Sequence, residues 1–337
     1  MKKKNIITAV AALITVAAII TVSLVNMPRK AYEKSGFAMG SAVKISVYGD
    51  KNGDEKANTA LAEIEELDSK YLSHNAANSY VYALNENRTV TADGEFAKYI
   101  KNCLMMSADC GGFSLMCGGL SDLWKIEADG YIPSEDEINS VLPSLADSNI
   151  SIDGNTVSLN GKGKLDFGAL GKGTACQYAI DSLKNAGVEN ALCTVGGSVG
   201  VIGSPKGDKG FTVGIRNPFG TVNEYFGTVN VTNCFISTSG DYEKYFERDG
   251  VRYCHIFDAR TGAPVQNDIT SVTVIADNGT VSDFLSTAVF ILGDVKGVML
   301  AEKYNADVII VKKDKTVLVS DSLKDSFKLT DESFAVL

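Results

Sequence analysis

From residue 31 onward, strand-like runs and helical periods follow one another without a regular rhythm, and this constrains the fold most. A strict strand–helix–strand repeat would build a doubly wound parallel sheet. Irregular alternation points instead to an α+β architecture. Residues 31–50 read as a linker and then a strand, AVKISVYG. Residues 56–72 read as an amphipathic helix, with Ala60, Ile64, Leu67 and Tyr71 on one face. A second helix is expected over 95–109, and a third over 173–186, stopped by Gly187. NISIDGNTVSLNGKGKLDFG reads as hairpin strands turning at Asp153-Gly154. NALCTVGG, FTVGIRNP, YFGTVNVTN, CFISTSG and Thr270–Ala276 read as strands, followed by a helix from Val281 to Ile291. A chain of 337 residues can bury one large core or two lobes.

The start of the chain differs in kind. Lys2, Lys3 and Lys4 precede an uncharged run from Ile6 to Val25. As a helix that run spans ~30 Å, enough to cross a bilayer. It ends SLVNMPRK, without an Ala-x-Ala cleavage pattern and without a lipid-accepting cysteine. The expectation is an uncleaved anchor: residues 1–30 as cytoplasmic tip, transmembrane helix and linker, residues 31–337 as one domain outside the cell membrane.

The formal net charge is -9, which argues against nucleic acid as a partner. The seven cysteines include no CxxC pair, and an odd count leaves at least one thiol. Small buried hydrophobes are the expected role for them. Cys103 and Cys110 are expected on one helix face.

The segment Cys234 to Val265 holds His255, one of two histidines, between a strand-like run and an Asp-x-x-Thr-Gly turn. Such turns are where rigid scaffolds place reacting groups, although a lone histidine also serves as a satisfied core residue. Asp283 and Thr287 are four apart on an expected helix and share a face, with Ser286 beside them. A carboxylate and a hydroxyl suit Mg²⁺; alone, the pair also reads as a solvated helix start. Gly168, Gly171 and Gly173 bracket Lys172, so backbone can approach phosphates while a lysine supplies charge. The loop does not match a P-loop, and VGGSVGVIG lacks Rossmann spacing.

Seven segments, in order, resemble the ApbE family of FAD:protein FMN transferases. They are Met39-Gly40-Ser41, the stretch Leu67 to Asn85, GGFSLMCGGLSDLW, LDFGALGKG, Val195-Gly196-Gly197, TSGDYEKYF with HIFDARTG, and SDFLSTAVFILG. The resemblance implies two related α+β lobes with FAD in the cleft between them. It implies transfer of FMN from FAD to a threonine or serine of another protein, with release of AMP. It places Mg²⁺ on Asp283, Ser286, Thr287 and the carbonyl of Ala169. It places FAD against Met39, Asn75, Gly112, Phe113, Ser114, Asp166, Lys172 and Phe257, with His255 needed for transfer.

Several positions depart from the family pattern. Ser114 and Met116 stand where the family usually has Asp and Thr, Thr174 and Gln177 replace Tyr and Asp, and Ser198 replaces Asp. Asn75 occupies a position that is often aromatic. These changes keep two other readings open: hydrolysis of FAD to FMN and AMP, and a surface protein that only binds FAD. The acceptor motif Asp-Gly-x-Ser/Thr-Gly-Ala-Thr is absent, and DGVRY at Asp249 departs after two residues. The implied partner is therefore a separate extracytoplasmic redox protein that carries the motif.

Overall fold

Strand β1 (Ala31–Ala38) turns through Met39 and Gly40 into β2 (Ser41–Tyr48), and the two pair antiparallel along their length. The computed structural model describes residues 30–205 and 210–337, so the expected membrane segment Ile6–Val25 lies outside the described residues. Among the described residues no helix is long and apolar enough to cross a membrane. The linker expected ahead of the first strand is corrected: AYEKSGFA is itself a strand at the sheet edge. Every second side chain of it is exposed, so its polar composition gave no apolar alternation to read.

Seven further strands extend this sheet: β3 (Ala191–Val195), β4 (Ser198–Ile202), β5 (Cys234–Gly240), β6 (Ile269–Ala276), β7 (Asp307–Lys312), β8 (Thr316–Val319) and β9 (Ala335–Val336). Among the described residues the sheet has nine strands, and their spatial order follows their order in the chain. Every neighbouring pair is antiparallel except β8 with β9. This is a mixed α/β fold on an antiparallel sheet, not a doubly wound one.

Helices α1 (Gly53–Glu66), α2 (Gly171–Asn185), α3 (Gly279–Leu292) and α4 (Asp294–Lys303) complete a repeated order. The first half runs β1, β2, α1, α2, β3, β4; the second runs β5, β6, α3, α4, β7, β8. The two halves are thus related in topology, and they share one sheet, joined where β4 pairs with β5. The GKGKLDFG stretch is not a regular strand; it makes one isolated bridge, Cys117 with Lys164.

Both sheet faces are buried. Ile45, Ile64, Ala179, Val272 and Leu285 join the core on the helical side. Ile236, Ile275, Ile309 and Val311 meet Phe226 and Val229 of a three-stranded sheet on the other side. Each such Ile, Val, Leu or Phe side chain contributes roughly 1.5–3 kcal/mol when fully buried. Central strand β6 is buried at all eight residues, which is why ITSVTVIA does not alternate. A smaller core gathers Leu120, Trp124, Ile126, Leu145 and Phe257. It lies under residues 241–268, the excursion between β5 and β6 that carries His255.

Candidate active site

Helix α2 starts at Gly171 without a side-chain cap of its own. The N–H of Gly173 in its first turn donates to Asp283 Oδ2 of α3 at 2.8 Å. A carboxylate from one helix therefore satisfies an orphan amide at the positive end of the other. The approach requires glycine: a Cβ at Gly173 would stand 2.1 Å from the Gly279 carbonyl oxygen and 2.6 Å from Asp283 Cβ. Asp283 is only 2% exposed. Its other oxygen has Ser198 Oγ at 3.4 Å. None of the ion pairs among the described residues includes it.

A seam of hydroxyls continues from Asp283 between α3 and the sheet. Ser237 Oγ lies 3.1 Å from Ser198 Oγ and 2.9 Å from Ser282 Oγ. Ser239 Oγ lies 2.8 Å from Ser286 Oγ and 3.1 Å from Thr287 Oγ1. Ser286 also donates to the Asp283 carbonyl at 2.8 Å, so its hydroxyl already serves the helix and β5. Thr287 is half-buried.

The loop ahead of α2 converges on the same place. Asp166 Oδ1 accepts the Gly168 N–H at 2.7 Å, and Lys172 Nζ donates to the Gly168 carbonyl at 3.1 Å. Ala169, half-buried between them, packs against the main core. The β1–β2 turn lies alongside. Met39 and Gly40 both have positive φ, 53° and 64°, as a two-residue hairpin turn of type I′ demands. That is a strained conformation for methionine. The Met39 N–H is held by Asp68 Oδ2 at 2.8 Å. A Cβ on Gly171 would lie 3.6 Å from the Met39 sulfur, and one on Gly196 would lie 2.8 Å from Ser41 Oγ and 3.3 Å from Lys172 Cδ. The VGG segment is thus the β3–β4 hairpin turn, with Gly196 against Ser41 and Lys172, not the strand-to-helix turn of a Rossmann unit.

His255 follows the hairpin Tyr245–Arg248 and Val251–Cys254 and is half-buried. Its N–H donates to the Lys244 carbonyl at 3.0 Å, and its Nδ1 lies 3.3 Å from the same oxygen. Burial, then the charges of Lys172 and Lys244, push its imidazole down to about 4. It is a neutral base at physiological pH. The following turn is closed by Thr261 and Gly262 N–H groups on the Asp258 carbonyl, at 3.1 and 2.8 Å. Trp124 Nε1 braces it by donating to the Gly262 carbonyl at 2.8 Å.

The Gly112–Phe113–Ser114 turn abuts that loop. The Gly112 carbonyl accepts the Ala259 N–H at 2.9 Å, and a Cβ at Gly112 would stand 2.9 Å from Asp258 Oδ1. Phe113 sets its ring edge-on to Phe284, the neighbour of Asp283, at 5.0 Å. A cavity of about 350 Å³ lies here, lined among others by Phe113, Ser114, Asp147 and Ala259. Two sequence-derived contacts are less directly placed. Phe257 is 6% exposed, its ring committed to the small core under the loop. Asn75 is exposed, and its hydrogen bonds are local, to Ser73 and His74.

Residues 39–310 match the model of the ApbE family. The chain belongs to the ApbE family. An ApbE relative from Treponema pallidum, named FAD:protein FMN transferase, is 30% identical, with 90% of this chain and 91% of that protein covered. A protein of the same name from Klebsiella pneumoniae is also 30% identical, with 91% and 98% covered. Among solved structures, the ApbE protein of Thermotoga maritima superposes with a TM-score of 0.80 at 29% identity, covering 88% of this chain and 99% of that one. The ApbE flavin transferase of Vibrio cholerae gives 0.74 at 25% identity, covering 91% and 99%.

The donors suit a hard divalent cation. Asp283 is a buried carboxylate without a cationic partner, which a metal would compensate. Among the described residues no group of three His, Cys, Asp or Glu side chains could hold a metal. A site here would therefore use one carboxylate with hydroxyl and carbonyl oxygens, as Mg²⁺ accepts. Cys110 does not share a helix face with Cys103: the helix Gly94–Ala108 is capped by Asp109, one residue before it. All seven cysteines are free.

Sequence reasoning passed over Glu243, which lies inside the quoted TSGDYEKYF segment. A Cβ on Gly197 would lie 3.6 Å from its Oε1. Its residue is exposed overall, yet the packed surroundings of its carboxyl raise the pKa; Lys172 and Arg216 oppose the rise and Asp283 adds to it. Arg216 stacks over the Tyr242 ring at 4.7 Å. Asp147 was also passed over, because nothing in LADSN marks it.

Proposed function

We propose that the chain transfers FMN from FAD to a serine or threonine hydroxyl of an acceptor protein, releasing AMP. The observation that carries this reading is the Gly173–Asp283 contact, which fixes the Asp166–Lys172 loop against the helix bearing Asp283 and Thr287. A lysine, the amide end of a helix and an uncompensated carboxylate thereby meet, and together they suit a pyrophosphate with its metal. The acceptor oxygen attacks the FMN-side phosphorus. The bond from that phosphorus to the bridging oxygen breaks, and AMP leaves with that oxygen. His255 takes the hydroxyl proton, a role its neutral imidazole suits. Lys172 offsets charge on the pyrophosphate. Asp283, Thr287 and the Ala169 carbonyl would hold Mg²⁺, which when bound stabilises charge on the phosphoryl oxygens.

The cleft that receives FAD is inferred to run between the Met39 turn, the 166–173 loop and the His255 loop. Ile6–Val25 is read as an anchor that places the domain outside the cell membrane. Its support is a 20-residue uncharged run behind three lysines. The acceptor is read as a separate extracytoplasmic redox protein. Chromatography of the reaction with FAD and Mg²⁺ tests the chemistry. AMP that appears only when acceptor is present supports transfer. AMP and free FMN without acceptor would support hydrolysis, and no AMP at all would support simple binding.

A further inference from the structure

We infer that Asp147 is a positioning residue for FAD binding, resting on the transferase reading above. From a separate segment it supplies a carboxylate that fixes the Gly112–Phe113–Ser114 turn. Asp147 Oδ1 accepts the Leu115 N–H at 3.0 Å and lies 2.9 Å from Ser114 Oγ. Its Oδ2 accepts from the hydroxyl of Ser107, a buried residue of the helix Gly94–Ala108. Ser114 Oγ in turn lies 2.5 Å from the Leu145 carbonyl and accepts the Met116 N–H at 2.9 Å. One carboxylate therefore ties three points, two on the turn and one on the helix beneath it.

The consequence reaches the site through geometry. Ser107, Ser114 and Asp147 line the 350 Å³ cavity together with Phe113 and Ala259. The turn they hold also carries the Gly112 carbonyl that accepts from Ala259 in the His255 loop at 2.9 Å. The Ser114 hydroxyl reaches the Leu145 carbonyl and Asp147 rather than the helix, which meets the turn directly only through Ser107 Oγ, 3.4 Å from the Phe113 carbonyl. The carboxylate of residue 147 adds a second, charged link between the two, and it leaves the wall of the cavity polar at the same place.

The test is a titration of FAD, followed by flavin fluorescence, together with KM and kcat for transfer. Asp147→Asn keeps an acceptor oxygen for the turn but loses the charge, and its amide N–H₂ can only donate towards Ser107, so the charge-assisted bond from Ser107 is lost. Its Kd and KM for FAD should rise about tenfold, the loss of one charge-assisted hydrogen bond, with kcat changed less than about twofold. Adding Ser114→Asp to that variant returns a carboxylate to the turn and should restore most of the affinity. A role confined to stability would lower Tm and leave KM unchanged, and that result would overturn the inference. If Asp147→Asn fails to fold, Ser107→Ala decides: a raised KM with unchanged kcat supports the inference, an unchanged KM removes it. Wild type that fails to bind FAD would instead remove the transferase reading itself.

Discussion

The amide of Gly173 and the carboxylate of Asp283 join α2 to α3 at 2.8 Å, so the proposed metal ligand is also a helix cap. Two functions on one side chain make its substitutions informative. Asp283→Ala leaves the Gly173 N–H without its partner and should cost about 1–3 kcal/mol in stability. Asp283→Asn keeps an acceptor and should melt closer to wild type. Both should lose Mg²⁺-dependent activity. Thermal melts paired with Mg²⁺ titrations of activity separate the two effects.

Gly173→Ala should be more damaging than an ordinary helix substitution. Alanine normally favours helix over glycine, by about 1 kcal/mol. Here the added carbon meets the Gly279 carbonyl at 2.1 Å, backbone that cannot turn aside. Overpacking of this kind costs about 1–3 kcal/mol, so the net sign should be destabilising. A melting temperature equal to or above wild type would show that the helices do not cross as described.

The pH dependence follows from His255. Its ordinary value of 6.5 is lowered to about 4 in the fold. The unfolded chain therefore takes up this proton before the native protein does. The stability tied to neutral His255 is fully present above pH 6.5 and is lost as pH falls towards about 4. The melting difference between wild type and His255→Asn should narrow or reverse over that window. The kcat/KM profile should show no acid limb near 6.5 from this residue. The His255 imidazole, assigned apart from that of His74, titrating there by NMR would contradict the assignment.

The thiols should be unreactive in the native protein. Burial raises Cys103, Cys117 and Cys234 to about 12 and Cys254 to about 11. Iodoacetamide at pH 7.5 attacks thiolate, so intact protein should gain few adducts and denatured protein seven. Rapid alkylation without denaturant would show that the core around these residues opens readily.

Much of this was legible in the sequence because its signals are local. The Val281–Ile291 helix, the Asp153-Gly154 turn and the strand Thr270–Ala276 each announce themselves through period, turn chemistry or β-branched residues. Observed bounds differ by a residue or two, as for Gly279–Leu292. The candidate site was legible as motifs at Lys172, Asp283 and His255, whose surroundings the fold then supplies. What stayed hidden depends on pairing across distance. Ala31–Ala38 is a strand only because β2 lies beside it. Asp147 matters only because the fold carries it 2.9 Å from Ser114, 33 residues away in the chain. The packing of Phe257 with Leu120, Trp124, Ile126 and Leu145 likewise shows only in the fold.

The most direct test of the transfer reading is the intact mass of a candidate acceptor incubated with FAD and Mg²⁺, using wild type and His255→Ala side by side. Wild type should add the mass of one FMN to the acceptor, with AMP released in equal amount. His255→Ala should still bind FAD and flavinylate about 10²–10⁴ times more slowly. An unmodified acceptor accompanied by AMP and free FMN, or equal rates in the two proteins, would contradict the account.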